Sequence, residues 1–199
     1  MEREAAVDAS VTFGLLAAWA VHDTEELATV PRWVRARLPE LRERFPRVPE
    51  AVWRQVGSVD AREFTTAVAA MAAVVAAAAA DGHRTGGRSA VYRTALDAFG
   101  LHGVVHLAQA AVLRGYTPGS VTSPLVVIPF TLWARARLRR AGVLRPTRPR
   151  DLALGLVFAT AATTGTHALA RRLQGPRRPR PDPLPGSAFT TGQGPCGRL

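Results

Sequence analysis

The sequence predicts an all-α, polytopic membrane helix bundle of about five transmembrane helices, with one further helix lying in the membrane interface. Three observations carry that reading. First, charge is segregated: residues 9–21, 67–80, 121–134 and 152–170 contain no Asp, Glu, Lys or Arg, although such residues make up 21% of the chain. A bilayer demands this, because a charge at its centre costs roughly 2.5–3.5 kcal/mol even on the milder scales. Second, arginine collects between the apolar runs, with eight in 31–62 and seven in 134–150. Third, the run beginning near 120 ends in WARARLRR, the aromatic-then-arginine composition of a membrane exit. A length of 199 residues leaves room for about four to six such helices and little else.

The first helix is expected over about 7–30, with an apolar first half and a second half carrying His22, Asp23, Glu25 and Glu26. Pro31 should stop it. In 31–62, Trp33, Val34, Leu38, Leu41 and Phe45 recur at helical spacing, which suggests a helix in the interface; a solvated loop is the alternative. The second helix, about 63–80, is largely Ala and Val, and small side chains permit close helix packing. DGHRTGGRS at 81–89 reads as a turn. The third helix, about 90–113, pairs Arg93 with Asp97 four residues on. GYTPGS at 115–120 is a turn with Pro118 and Gly119 at its centre. A fourth helix, about 120–138, contains Pro124 and Pro129, kinks that a membrane bundle tolerates. A fifth covers 151–170. Residues 1–174 thus form one helical membrane domain, and the Pro-, Gly- and Arg-rich tail 175–199 is expected to be disordered.

The net charge is +11, carried by 26 Arg and no Lys. A basic chain invites a nucleic-acid reading. These arginines flank apolar runs, however, as in proteins that grip anionic headgroups, and no zinc-finger spacing or aromatic-rich strand motif accompanies them. The expected partner is therefore a lipid bilayer with anionic headgroups, with no nucleic acid and with room for a homo-oligomer. The expected location is the cell membrane, as a multi-pass protein. The lone Cys196 supports neither a disulfide framework nor a Cys-based metal site, and the N-terminus does not read as a removable signal peptide. The chain has no GxSxG elbow and no P-loop to support serine-hydrolase or P-loop nucleotide chemistry.

Two clusters can carry chemistry. His22, Glu25 and Glu26 are three and four residues apart, which puts both glutamates on the histidine's face of the helix. Imidazole with carboxylate suits zinc, iron or manganese, and Glu25 or Glu26 can serve as proton acceptor beside a metal. The plainer alternative is a helix leaving the membrane with these residues wetted. His102 and His106, four residues apart with Gln109 one turn on, form a second pair able to reach one metal. They lie in apolar sequence, where an ionisable group is a functional candidate by default; two satisfied core histidines are the alternative. His167 stands one turn from Arg171 and reads equally as an interfacial residue.

HDTEE at 22–26, HGVVH at 102–106 and YTPGSVT at 116–122 together resemble the motifs of the HXXEE family of bacterial integral membrane proteins. That family has HxxEE, then NxxxH, then YxPG followed by Thr. His102 departs from the pattern, standing where the family usually has Asn. The resemblance implies a site in which His22, Glu25 and Glu26 meet His106 and His102. It also implies that Tyr116, Pro118, Gly119 and Thr122 border the site and help bind its cofactor. With a divalent metal, zinc or iron, such a site suits a membrane enzyme acting on a lipid-like or small hydrophobic substrate, as a hydrolase or oxidoreductase. A small transporter or proton-relay protein using the same residues is the competing class, and a structural subunit glued by polar contacts a third.

Overall fold

The computed structural model describes residues 7–58, 60–144 and 148–174. Their regular structure is entirely helical: α1 (Ala9–Arg44), α2 (Glu50–Ser58), α3 (Ala61–Arg84), α4 (Ala90–Leu113), α5 (Ile128–Arg140) and α6 (Pro149–Gln174), with a π-helical turn (Ser123–Val127) running directly into α5. Side-chain caps start three of the helices: Asp8 accepts from Ser10 N, Asp60 from Glu63 N and Ser89 from Tyr92 N. Each cap satisfies an amide that the helix itself leaves without a partner. α3 ends where Gly87 enters the left-handed region (φ +81°) and its amide reaches back to Gly82 O at 2.7 Å.

Helix contacts close a ring in the order α1–α3–α6–α4–α5, so the last helix inserts between two that are consecutive in the chain. Small residues set the approach. A Cβ on Gly100 would lie 2.7 Å from Thr131, and one on Gly103 2.8 Å from Val127. These glycines let the π turn and α5 lie directly on α4. Inside the ring, Val11, Leu15, Tyr92, Leu96, Phe99, Val127 and Leu138 form the core. The Tyr92 hydroxyl donates to Val11 O at 2.5 Å, joining α4 to α1 where no water can substitute.

α3, α4 and α6 are long and apolar enough to cross a membrane. Their 24 to 26 residues reach about 36–39 Å, against a hydrocarbon core of about 30 Å. Their outer faces expose Val104, Val105 and Val112 on α4 and Leu152, Leu154, Leu156 and Val157 on α6, side chains that lipid solvates and water does not. This is the architecture of a multi-pass membrane protein. Among the described residues these three helices are the ones long and apolar enough to span, and the count of five spans is not confirmed. α1 carries Asp23, Glu25 and Glu26 in mid-course, and the π–α5 helix ends in Arg135, Arg137, Arg139 and Arg140.

Other expectations need correction. α1 does not stop at Pro31 but continues through Pro31 and Pro39 to Arg44. Each proline removes a single helical N–H, and tertiary bonds hold the extension in place. Trp33 Nε1 donates to Tyr116 O at 3.0 Å, and Arg44 donates to Val112 O at 2.8 Å and Leu113 O at 3.2 Å. The latter are terminal carbonyls of α4 that lack intrahelical partners. The segment read as an interfacial helix or loop is thus this extension plus the separate α2. Pro124 occupies the first turn of the π segment, where a missing N–H costs least, whereas Pro129 lies inside the continuous π–α5 helix, as expected of a tolerated kink, directly after the π turn. Asp97 pairs with Arg135 of α5 rather than with Arg93, whose Nε turns to Ser89 O. The reading of 175–199 as a disordered tail lies outside the described residues.

Candidate metal centre

Three imidazoles and one carboxylate meet between α1 and α4. His22 Nε2 is 3.1 Å from His102 Nε2, which is 2.8 Å from His106 Nε2, and that atom is 3.3 Å from Glu26 Oε1. All four ligand atoms lie within 4.8 Å of one another. His22 and Glu26 project together because they are one helical turn apart on α1, and His102 and His106 do so on α4. The backbones of α1 and α4 scarcely approach each other; the imidazoles fill the gap. His22 is fully buried and His106 nearly so. His102 stands at the middle of α4, about 18 Å along the axis from Ala90.

The segment after α4 closes the centre. Ser120 N bonds Thr117 O at 3.0 Å, and Gly119 has φ +80°, the geometry of a type II turn with Pro118 and Gly119 at its centre. A Cβ on Gly119 would fall 2.7 Å from Cε1 and Nδ1 of His106 and 2.9 Å from Cε1 of His22. The turn backbone therefore lies flat on two of the rings, and only glycine combines that φ with that clearance. Thr122 follows at the start of the next helix.

Glu25 shares the His22 face but turns to this segment instead of the imidazoles. Its Oε2 accepts from Thr122 N at 2.8 Å and Thr122 Oγ1 at 2.6 Å, and its Oε1 from the Tyr116 hydroxyl at 2.9 Å and Val121 N at 3.4 Å. The two amides open the π–α5 helix, so Glu25 satisfies orphan donors at a helix N-terminus. Burial, reinforced by the bond to Glu25, holds the Tyr116 phenol above its usual value.

Proton bookkeeping then fixes one tautomer. The single hydroxyl hydrogen of Thr122 goes to Glu25, so the 2.7 Å contact between Thr122 Oγ1 and His22 Nδ1 has the imidazole as donor. With hydrogen on Nδ1, His22 presents a lone pair from Nε2 to the cluster. His102 Nε2 has at most one hydrogen for its two imidazole neighbours. With neutral imidazoles and an ionised Glu26, no placement of hydrogens satisfies all three short contacts. One divalent cation among the four atoms does. A tetrahedral site with metal–ligand distances of about 2.0–2.1 Å has edges of about 3.3–3.4 Å, and the three neighbouring separations here are 2.8, 3.1 and 3.3 Å, within a group spanning no more than 4.8 Å. His22, Glu26, His102 and His106 fit such an ion, and the Glu25–Thr122–His22 chain is the outer support that metal-bound histidines usually have.

A cavity of about 150 Å³ adjoins the centre, walled by Trp19, Val75, Ala95, Phe99 and Phe158 among others. Asp23, Glu26 and His102 border it, as do Thr163, Thr166 and His167 of α6. His167 does not join the centre: its Nδ1 is 3.3 Å from buried Glu63 Oε1, which also accepts from Arg171 Nε at 2.8 Å. This group clasps α3 to α6.

Of the residues singled out from sequence, His22, Glu26, His102 and His106 come together, Gly119 and Thr122 touch them or their partners, and Tyr116 and Glu25 meet one shell further out. Pro118 contributes through the turn. The sequence reading places Asp23 and Glu63 on the first and second helices without a role. Asp23 precedes Glu26 by three residues, and Asp60-x-x-Glu63 is an N-terminal capping pattern, so both had a local signal.

Fold and centre together define a class: a multi-pass helical membrane protein with an internal His/Glu group able to hold a metal ion. The chain belongs to the family described as protein of unknown function with HXXEE motif, whose sequence model matches residues 13–134, more than half of the chain. That span runs from α1 through the 116–122 turn into α5 and contains every residue of the centre. No curated protein and no solved structure matches the chain.

Proposed function

We propose that the chain is a metal-dependent enzyme of the cell membrane, with zinc or iron held by His22, Glu26, His102 and His106, acting on a lipid-like or small hydrophobic substrate. The convergence of three imidazole nitrogens and a carboxylate, all within 4.8 Å of one another, carries the reading. The ion would supply Lewis acidity or redox chemistry. The chain's residues do the rest. Glu25 and Thr122 hold His22 in one tautomer, Gly119 lets the turn seal the rings from water, and the apolar cavity beside Glu26 and His102 receives the substrate. Glu25, saturated by four donors, acts as a positioning residue in place of a proton acceptor. The exposed Arg35 of the α1 extension and Arg137, Arg139 and Arg140 of α5 face anionic headgroups.

Elemental analysis of protein purified in mild detergent tests this. Wild type should carry close to one equivalent of zinc or iron, and His106→Ala should lose most of it. A wild-type preparation that takes up no metal on supplementation, and matches His106→Ala, overturns the proposal. One observation favours a second reading. Short contacts run unbroken from Glu25 through Thr122, His22, His102 and His106 to Glu26, the arrangement of a proton relay. That reading requires pH-dependent flux in vesicles that persists in chelator.

A further inference from the structure

We propose that the cavity is a binding site for a small apolar chain ending in a hydroxyl group, with Asp23 as the residue that recognises the hydroxyl. The inference goes beyond the metal proposal and does not need the ion. Asp23 is 7% exposed and lines the cavity. It has no hydrogen-bond or ion-pair partner among the described residues. A buried carboxyl normally has partners, and leaving one without them is costly. Its neighbours on α1 are all committed: His22 and Glu26 to the imidazole cluster, Glu25 to Thr122 and Tyr116. Asp23 presents a carboxyl without a protein partner among the described residues to a chamber walled mainly by apolar side chains, with Thr163, Thr166 and His167 across from it on α6.

The walls and the charge define the ligand class. Phe64, Met71, Val75, Phe99, Phe158 and the ring face of Trp19 offer contact to hydrocarbon. A space of about 150 Å³ accommodates a molecule of about benzene size. A chain ending in a carboxylate would meet Asp23 and Glu26 head-on. An ammonium needs an ionised acceptor, and desolvating it among these walls is expensive. A hydroxyl both donates and accepts, so it satisfies Asp23 whether or not that carboxyl carries a proton. The supply of such molecules is the bilayer itself, which α6, one wall of the cavity, contacts along its exposed face.

Trp19 makes the proposal measurable. Full-length protein in detergent is titrated with 6-bromohexan-1-ol and with 1-bromohexane, whose bromine quenches an adjacent indole. The alcohol should quench saturably and bind at least about tenfold more tightly than the alkane, the discrimination expected of one buried hydrogen bond to a carboxyl. Trp19→Phe should abolish the saturable component. Asp23→Leu should level the two probes while still binding the alkane, which reports an intact cavity. Asp23→Asn should retain the preference for the alcohol. Equal affinities in wild type, a preference that survives Asp23→Leu, or quenching that persists in Trp19→Phe overturns the proposal. Metal content measured on the same samples separates the two readings. Bound metal without an Asp23-dependent preference defeats this one alone, and the preference without metal defeats the metal centre alone.

Discussion

Gly119→Ala probes the closure of the centre with a single methyl group. The added Cβ would sit 2.7 Å from Cε1 and Nδ1 of His106 and 2.9 Å from Cε1 of His22. Restoring ordinary contact at about 3.4 Å requires the His106 ring to move about 0.7 Å and the His22 ring about 0.5 Å, or the turn to back away by as much. Metal sites tolerate about 0.2 Å in ligand distance. Two of four ligands would therefore leave range together, and metal affinity should fall at least about 10- to 100-fold, the scale seen when support to a metal ligand is lost. The positive φ adds about 1–2 kcal/mol of strain for any residue with a Cβ, so thermal unfolding in detergent should also shift downward. Gly115→Ala is the control: its Cβ would meet nothing within 4 Å, and it should match wild type in both measurements. Affinity is read by competition with a chromophoric chelator. A Gly119→Ala protein that binds metal within about twofold of wild type would refute the argument that this turn presses on the ligands.

Three further outcomes follow from individual contacts. Thr122→Val removes the link between Glu25 and His22 and should weaken metal binding about 10- to 100-fold, whereas Thr122→Ser should restore it; equal affinities for Val and Ser would show that the hydroxyl does not hold the tautomer. Asp97→Ala removes the carboxylate that Arg135 meets between α4 and α5, where both side chains are largely buried, and should destabilise the fold by about 1.5–3 kcal/mol. The Asp97→Leu/Arg135→Leu double variant should lose much less, and the comparison is read from thermal unfolding. Tyr116 holds its proton in the folded state at a pH where the unfolded chain releases it, because its phenol lies above the usual value of 10.0. The stability this contributes is intact below pH 10 and is lost as the pH rises through the folded value. Tyr116→Phe should flatten that alkaline limb, and an unchanged limb would assign it to other groups.

Much of this molecule is written locally. Charge-free runs bounded by charged segments are a solvent preference, legible residue by residue, and α3 and α6 follow from two of them. The one-turn spacings of His22 with Glu26 and of His102 with His106 are helix geometry, and the Pro118–Gly119 turn is set by the backbone preferences of those two residues. The tertiary structure decided the rest, because it depends on what lies across a gap. Glu25 and Glu26 look alike in sequence, yet one finds helix-terminal amides and a threonine while the other finds an imidazole. Pro31 has the local character of a stop, but Tyr116 and the end of α4 supply hydrogen bonds that carry α1 past it. Asp97 has an arginine one turn away and pairs instead with one 38 residues on. α6 enters between α3 and α4, which no periodicity encodes, and so creates the cavity beside the centre. Spacing along a helix fixes which side chains share a face; only the packed neighbours, by offering donors, clearance or a low-dielectric wall, fix what each of them does.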